Sequence, residues 1–187
     1  MTRYDDWIML DPVIGILIVA CFATLFASAA IHKLRDLARF DAVFEAYGLP
    51  ALYTRLRASR AVPVLEVLIA LGLLGGASRE YAVAAGVVLL VAYAGAIALN
   101  LWRGRRDIAC GCGATDEERP IATWMVWRNL ILAVVLGVAL WPWASRALVI
   151  TDAVTIAAGV AALALLYLSC ERLFGAAARA QALRSPR

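Results

Sequence analysis

Histidine occurs once in this chain, at position 32, and cysteine four times, at positions 21, 110, 112 and 170. A single imidazole leaves little from which to build a metal centre, because zinc sites usually combine several His and Cys side chains. The sequence also lacks an internal repeat, a low-complexity linker and a basic leader. Its start, MTRYDDWIMLD, is acidic, and the apolar run that follows is long enough to span a bilayer, so no cleavable signal peptide is expected. Charge is sparse. Asp, Glu, Lys and Arg make up 17% of the residues and hydrophobic types 64%, against roughly 45–50% apolar residues in soluble domains. The net charge of +4 does not point to nucleic acid, since the basic residues cluster beside the apolar runs.

Those runs dominate the chain. Five of them cover residues 12–31, 61–77, 82–102, 124–141 and 148–170. At about 1.5 Å per residue, roughly 20 residues cross a hydrocarbon core of about 30 Å. The second and fourth runs are short by that measure. Backbone groups in lipid must be satisfied internally, which makes each run a helix. The expectation is an all-α polytopic membrane bundle: one domain over residues 1–187, a four-helix core plus a fifth C-terminal span, and a flexible tail from 171 to 187. Gly72, Gly75, Gly76, Gly86 and Gly95 read as sites of close helix approach. The first loop carries Leu37, Phe40, Val43, Phe44 and Tyr47 at helical spacing, with Asp36 as a cap and Gly48 and Pro50 as stops. This predicts a short amphipathic helix on the membrane surface or over the bundle.

The Lys/Arg distribution orients the bundle. Fifteen of the 18 basic residues fall in the first loop, in the third loop together with Arg128, and in the tail; only Arg3, Arg79 and Arg146 fall on the other side. The positive-inside rule then places the N-terminus outside, and the first loop, third loop and C-terminus in the cytoplasm.

Polar residues in and beside the runs converge on the basic face. His32 and Lys33 end the first run, Glu66 lies one to two turns into the second, Asn100 closes the third, and Arg128 and Asn129 open the fourth. Ionisable groups within spans usually face the bundle interior or a cavity. Glu66 and Arg128 are expected to pair there, either as a structural ion pair or as part of a functional site. Cys21, Thr24, Ser28 and His32 share one face of the first helix, which reads as an interior stripe. Cys21 and Cys170 lie in spans, where a thiol packs as a small hydrophobe.

Cys110 and Cys112 stand apart, in the polar loop RRDIACGCGATDEERP, separated by one glycine and preceded by Arg105 and Arg106. A disulfide between thiols so close departs from relaxed geometry, and strained disulfides are the readily reduced, catalytic or regulatory ones. Neighbouring arginines and glycine N–H groups favour the reactive thiolate. The pair reads as a redox pair. A metal site using both thiols and His32, or a purely structural loop, are the other readings.

The ordered set SAAIHKLRDLARFDAVFEAYGLP, PVLEVLIALGLLGG, CGCGATDE and WRNLIL resembles the MauE family of methylamine-utilisation membrane proteins, related to the DoxX-like redox-associated group. The resemblance covers about residues 15 to 135. It implies assistance in maturing methylamine dehydrogenase, whose small subunit is disulfide-rich, alongside a thioredoxin-like partner, MauD. The helical core also resembles vitamin K epoxide reductase and its bacterial relatives, which pass thiol electrons to a quinone. The positions matching the pattern are Lys33, Glu66, Cys110, Cys112, Arg128 and Asn129. One departure is visible: many members continue Cys-Gly-Cys with Phe-Gly, and here Gly-Ala follows. A periplasmic client would also set the pair outside, whereas the charge count sets it inside.

The expectation is therefore a bacterial inner-membrane protein that performs or relays thiol–disulfide exchange through Cys110 and Cys112. Arg128 would stabilise a thiolate or a quinone head group, Glu66 and His32 would handle protons, and Lys33 and Asn129 would contact quinone or partner. The rival class is a non-catalytic scaffold that holds a thioredoxin-like partner near its client.

Overall fold

The computed structural model describes residues 9–48, 58–106, 108 and 120–184. Pro50, Cys110 and Cys112 lie outside the described residues. Apart from one β-bridge, the regular structure described is helical: α1 (Pro12–Arg35), α2 (Leu37–Ala46), α3 (Ala58–Leu74), α4 (Arg79–Trp102), α5 (Thr123–Gly137, continued by a 3₁₀ turn, Val138–Leu140) and α6 (Ile150–Arg184).

Local chemistry sets the boundaries. Asp11 caps α1 by accepting from Val13 N at 2.8 Å, and Pro12 occupies the first turn, where a missing N–H costs nothing. Asp36 interrupts the helix after Arg35 and caps α2 by accepting from Arg39 N at 3.0 Å. Gly48 ends that segment with φ +58°, a left-handed conformation that a side chain disfavours. The short amphipathic helix read from the first loop is thus present.

Among the described residues, four helical segments are long and apolar enough to cross a bilayer: Pro12–Arg35, Arg79–Trp102, Thr123–Leu140 and Ile150–Ala177. The protein is an all-α polytopic membrane bundle. α3, with 17 residues, measures about 25 Å and gives way to a turn at Gly75 rather than running to residue 77. It still connects the two ends of the bundle. Its first half meets the end of α1 through Lys33 and Glu66. The helix after it, α4, begins at the other end, where Arg79 stacks 3.7 Å from the Trp143 ring and Trp143 bridges to Leu10 just before α1.

α1 packs along α3, α3 along α4 and α4 along α5. Between them lies an apolar core that includes Phe22 and Phe26 of α1, Ile69 and Leu73 of α3, Val83 and Leu90 of α4, and Leu136 of α5. Gly86 permits a close approach within this core. A Cβ there would come within 2.8 Å of Leu136 Cδ2 and 3.2 Å of Phe26 Cε2. Gly76 and Gly95 face open space instead, so the packing role read for those two is not realised. The outward surfaces carry Leu68, Leu71, Val88, Ile131 and Val134, all exposed, as lipid-facing residues are.

α6 is the outlier. Its apolar window has no residue buried in the bundle, and its main packing partner is α1, where Gly159 approaches Leu17. Polar contacts tie it down at two places. Near its start, Arg146 donates from Nε to Asp11 Oδ2 at 3.0 Å and from Nη1 to Asp152 Oδ2 at 2.8 Å. Further along, Arg128 of α5 pairs with Glu171. The helix runs unbroken through Cys170 to Arg184, into the segment expected as a tail.

Candidate functional site

The inward face of α1 is the stripe Val19, Phe22, Ala23, Phe26, Ala30 and Lys33. It is rotated from the stripe expected through Cys21, Thr24, Ser28 and His32. Thr24 and Ser28 are exposed and spend their hydroxyls on carbonyls of their own helix, Cys21 O at 2.8 Å and Leu25 O at 2.9 Å. The physical reason is the run of large apolar side chains: Phe22 and Phe26 claim the core, which carries Lys33 inward and leaves His32 half-buried beside it.

Lys33 is 4% exposed and Glu66 1%. Lys33 Nζ stands 2.5 Å from Glu66 Oε1, and Tyr93 OH donates to the same oxygen at 2.7 Å. The ammonium also lies 5.4 Å from the Tyr93 ring and 5.5 Å from the Phe40 ring, within cation–π range. One charge pair therefore ties together α1, α2, α3 and α4. Glu66 Oε2 is buried with no hydrogen-bond partner among the described residues, and so is Asn100 Oδ1. Glu66 thus keeps one oxygen able to accept a further hydrogen bond.

The expected pairing of Glu66 with Arg128 does not form. Lys33 is the partner of Glu66, and Arg128 is paired with Glu171, with its guanidinium 5.4 Å from the Trp124 ring. Trp124 stacks in turn on Phe174 at 5.4 Å. Each of these charges, buried or half-buried, has its counter-ion on another helix, which desolvation demands. Asn100 and Asn129, both buried, turn their amides back onto their own helices, Asn100 Nδ2 donating to Ala96 O at 3.0 Å and Asn129 Nδ2 to Met125 O at 2.9 Å.

Two residues of this end escaped the sequence reading. Tyr93 is a phenol near the middle of an apolar run, seven residues and so about two turns before Asn100 on the same face. Glu171 follows Cys170 at the edge of the last run, where a carboxylate reads as the start of a tail.

The segment that holds the Cys-Gly-Cys begins and ends at this same end of the bundle. Ile108 and Ile121 are buried with Tyr47, Ile97 and Met125. Ile121 N donates to Ile108 O at 3.0 Å, which holds the two flanks of residues 109–120 side by side. Of the remaining cysteines, Cys21 is half-buried on α1 and Cys170 exposed on α6, both free.

These features define a class: a multi-pass helical membrane protein with charged groups buried at one end, beside the closed base of a polar loop. The family model described as "Methylamine utilisation protein MauE" matches residues 11–142. The chain is 37% identical over 159 residues to the "Methylamine utilization protein MauE" of Paracoccus denitrificans, covering 83% of this chain and 84% of that one. It is 34% identical to the protein of the same description from Paracoccus versutus, covering 92% and 93%, and 34% identical to that from Methylophilus methylotrophus, covering 84% and 86%. No solved structure matches. The chain belongs to the MauE family.

Proposed function

We propose that this protein is an accessory of methylamine utilisation in the bacterial inner membrane, and that it performs or relays thiol–disulfide exchange through Cys110 and Cys112. Its client would be a disulfide-rich protein such as the small subunit of methylamine dehydrogenase, and its partner a thioredoxin-like protein of the MauD type. The observation that carries this reading is the closed base formed by Ile108 and Ile121, which anchors the flanks of the cysteine segment to the end of the bundle holding the buried charges. A rigid base with a short reactive segment is how binding and catalytic loops are usually presented.

In the exchange, the thiolate of one cysteine attacks a disulfide sulfur of the partner and forms a mixed disulfide. The second cysteine, as thiolate, displaces the partner. Two electrons and two protons have then moved to the partner, now a dithiol, and Cys110 and Cys112 are joined; client oxidation runs the same steps in reverse. Arg128 favours the thiolate, with Glu171 fixing its position. Glu66 and His32 take up and return protons, Lys33 holds Glu66 ready, and Asn129 lies beside Arg128 at the partner-facing end. A quinone, implied by the likeness to vitamin K epoxide reductase, would be the alternative acceptor, taking two electrons and two protons from the Cys110–Cys112 dithiol in place of the partner disulfide and leaving as the quinol.

The test is a trap. In a chain lacking Cys21 and Cys170, Cys112→Ser or Cys110→Ser should accumulate a mixed disulfide with a thioredoxin-like protein. Failure of both to form one supports the scaffold reading.

The orientation that goes with this function has the N-terminus outside and the cysteine segment in the cytoplasm, on the strength of the Lys/Arg asymmetry. With the outer membrane permeabilised, an impermeant maleimide should miss the reduced pair until the inner membrane is opened. Equal labelling before opening would reverse the topology.

A further inference from the structure

The two ends of the bundle differ in the state of their charges as well as in their number. At the N-terminal end, both described arginines are committed internally. Arg146 is shared between Asp11 and Asp152, and Arg79 lies flat on Trp143. The bonds from Arg146 and Val13 hold the Asp11 carboxyl below the usual carboxylate range, so this clasp stays charged and closed at neutral pH.

At the other end, Arg128 is paired with Glu171, but six further arginines point outward. Arg35, Arg60, Arg103, Arg105, Arg106 and Arg172 are all exposed, and none has a carboxylate partner among the described residues. Arg35 ends α1, Arg60 lies in the first turn of α3, Arg103, Arg105 and Arg106 follow α4, and Arg172 lies on α6 next to Glu171, so four different helices contribute. Two tryptophans sit at the same level, Trp102 at the end of α4, 86% exposed, and Trp127 in the first turns of α5, 63% exposed. Exposed indoles at a helix end mark the interfacial layer of a bilayer. α2 lies at this level too. A Cβ on Gly48 would come within 2.5 Å of Arg105 Nη1, which places that guanidinium on the turn ending α2.

We infer that this set of arginines is a binding surface for anionic phospholipid head groups. The occupant is lipid and not an acidic protein because the cations share their level with interfacial tryptophans and an amphipathic helix, and because four different helices contribute them. Guanidinium forks match phosphate oxygens bidentately. The interaction does not depend on the cysteine chemistry, nor on which leaflet this end faces.

The experiment uses the full-length protein in nanodiscs of phosphatidylcholine mixed with phosphatidylglycerol, with retained lipids read by native mass spectrometry. The wild type should retain phosphatidylglycerol selectively, by about fivefold for each arginine engaged. Selectivity should fall steeply with added salt, since the groups are exposed. The triple variant Arg103→Gln, Arg105→Gln, Arg106→Gln should lose on the order of a hundredfold of it. Because all three side chains are exposed, the variant should remain helical, which circular dichroism checks. A second variant, Arg35→Gln with Arg60→Gln, should show a smaller loss from different helices. Equal retention of both lipids by the wild type, or undiminished selectivity in both variants, overturns the inference. So does an absence of lipid selectivity combined with salt-sensitive binding of an acidic partner protein.

Discussion

Lys33→Met should destabilise the protein by about 3–5 kcal/mol, the usual cost of leaving one member of a buried ion pair without its counter-charge. Lys33 and Glu66 are among the most deeply buried polar side chains described, so water cannot replace the missing partner. Glu66→Gln should cost a comparable amount, because it strands the ammonium and weakens the bond from Tyr93. The double variant Lys33→Met, Glu66→Leu should recover most of the loss, since two apolar side chains of similar volume remove both desolvation penalties. The check is a double-mutant cycle on unfolding free energy in mixed micelles. Strong coupling is expected between positions 33 and 66, with little between 66 and 128. The second half separates this arrangement from the Glu66–Arg128 pair that the sequence alone favours. Strong coupling between 66 and 128 would mean that the helices are rotated from the positions described.

Cys110→Ser and Cys112→Ser should each reduce methylamine-dependent growth to that of a strain lacking the protein, while leaving the amount of folded protein in the membrane unchanged. On the proposed function the two effects separate, because the thiols would serve exchange while the helices serve the fold. The buried clusters described are built from residues such as Phe26, Ile69 and Leu136 in one case and Ile97, Ile108 and Met125 in the other. Serine keeps the size and polarity of the loop and removes only the nucleophile. Cys21→Ser should be mild by comparison, costing packing alone on a half-buried face. A double serine variant that still matures its client at the normal rate would leave the loop a structural element and the protein a scaffold.

Much of the architecture was legible because bilayer physics constrains composition so strongly. Long apolar runs bounded by charge became helices, and Asp36 and Gly48 bracketed α2 where the capping signals placed them. The convergence of Lys33, Glu66, Asn100, Arg128 and Asn129 on one end was legible too, since it follows from alternation alone. Which of them meet was not. Adjacent positions on a helix differ by about 100°, and no run of uniformly apolar sequence specifies its own rotation. The inward residue proved to be Lys33, with His32 beside it, because Phe22 and Phe26 set the facing of α1. The pairing of Arg128 with Glu171 was hidden for a related reason. A carboxylate at the end of the last run looks like the start of a solvated tail until α5 is seen to approach it. Tyr93 was passed over because one phenol in a run of aliphatic residues signals nothing until a carboxylate is placed opposite it.

The exchange mechanism stands or falls on whether Cys110 and Cys112 change oxidation state in the membrane. The direct measurement is rapid acid quenching of cells growing on methylamine, followed by alkylation of free thiols and a count of labels on each cysteine. Turnover predicts a mixture of dithiol and disulfide that collapses to a single state when the thioredoxin-like partner is deleted. A pair found in one and the same state with the partner present and absent would contradict it.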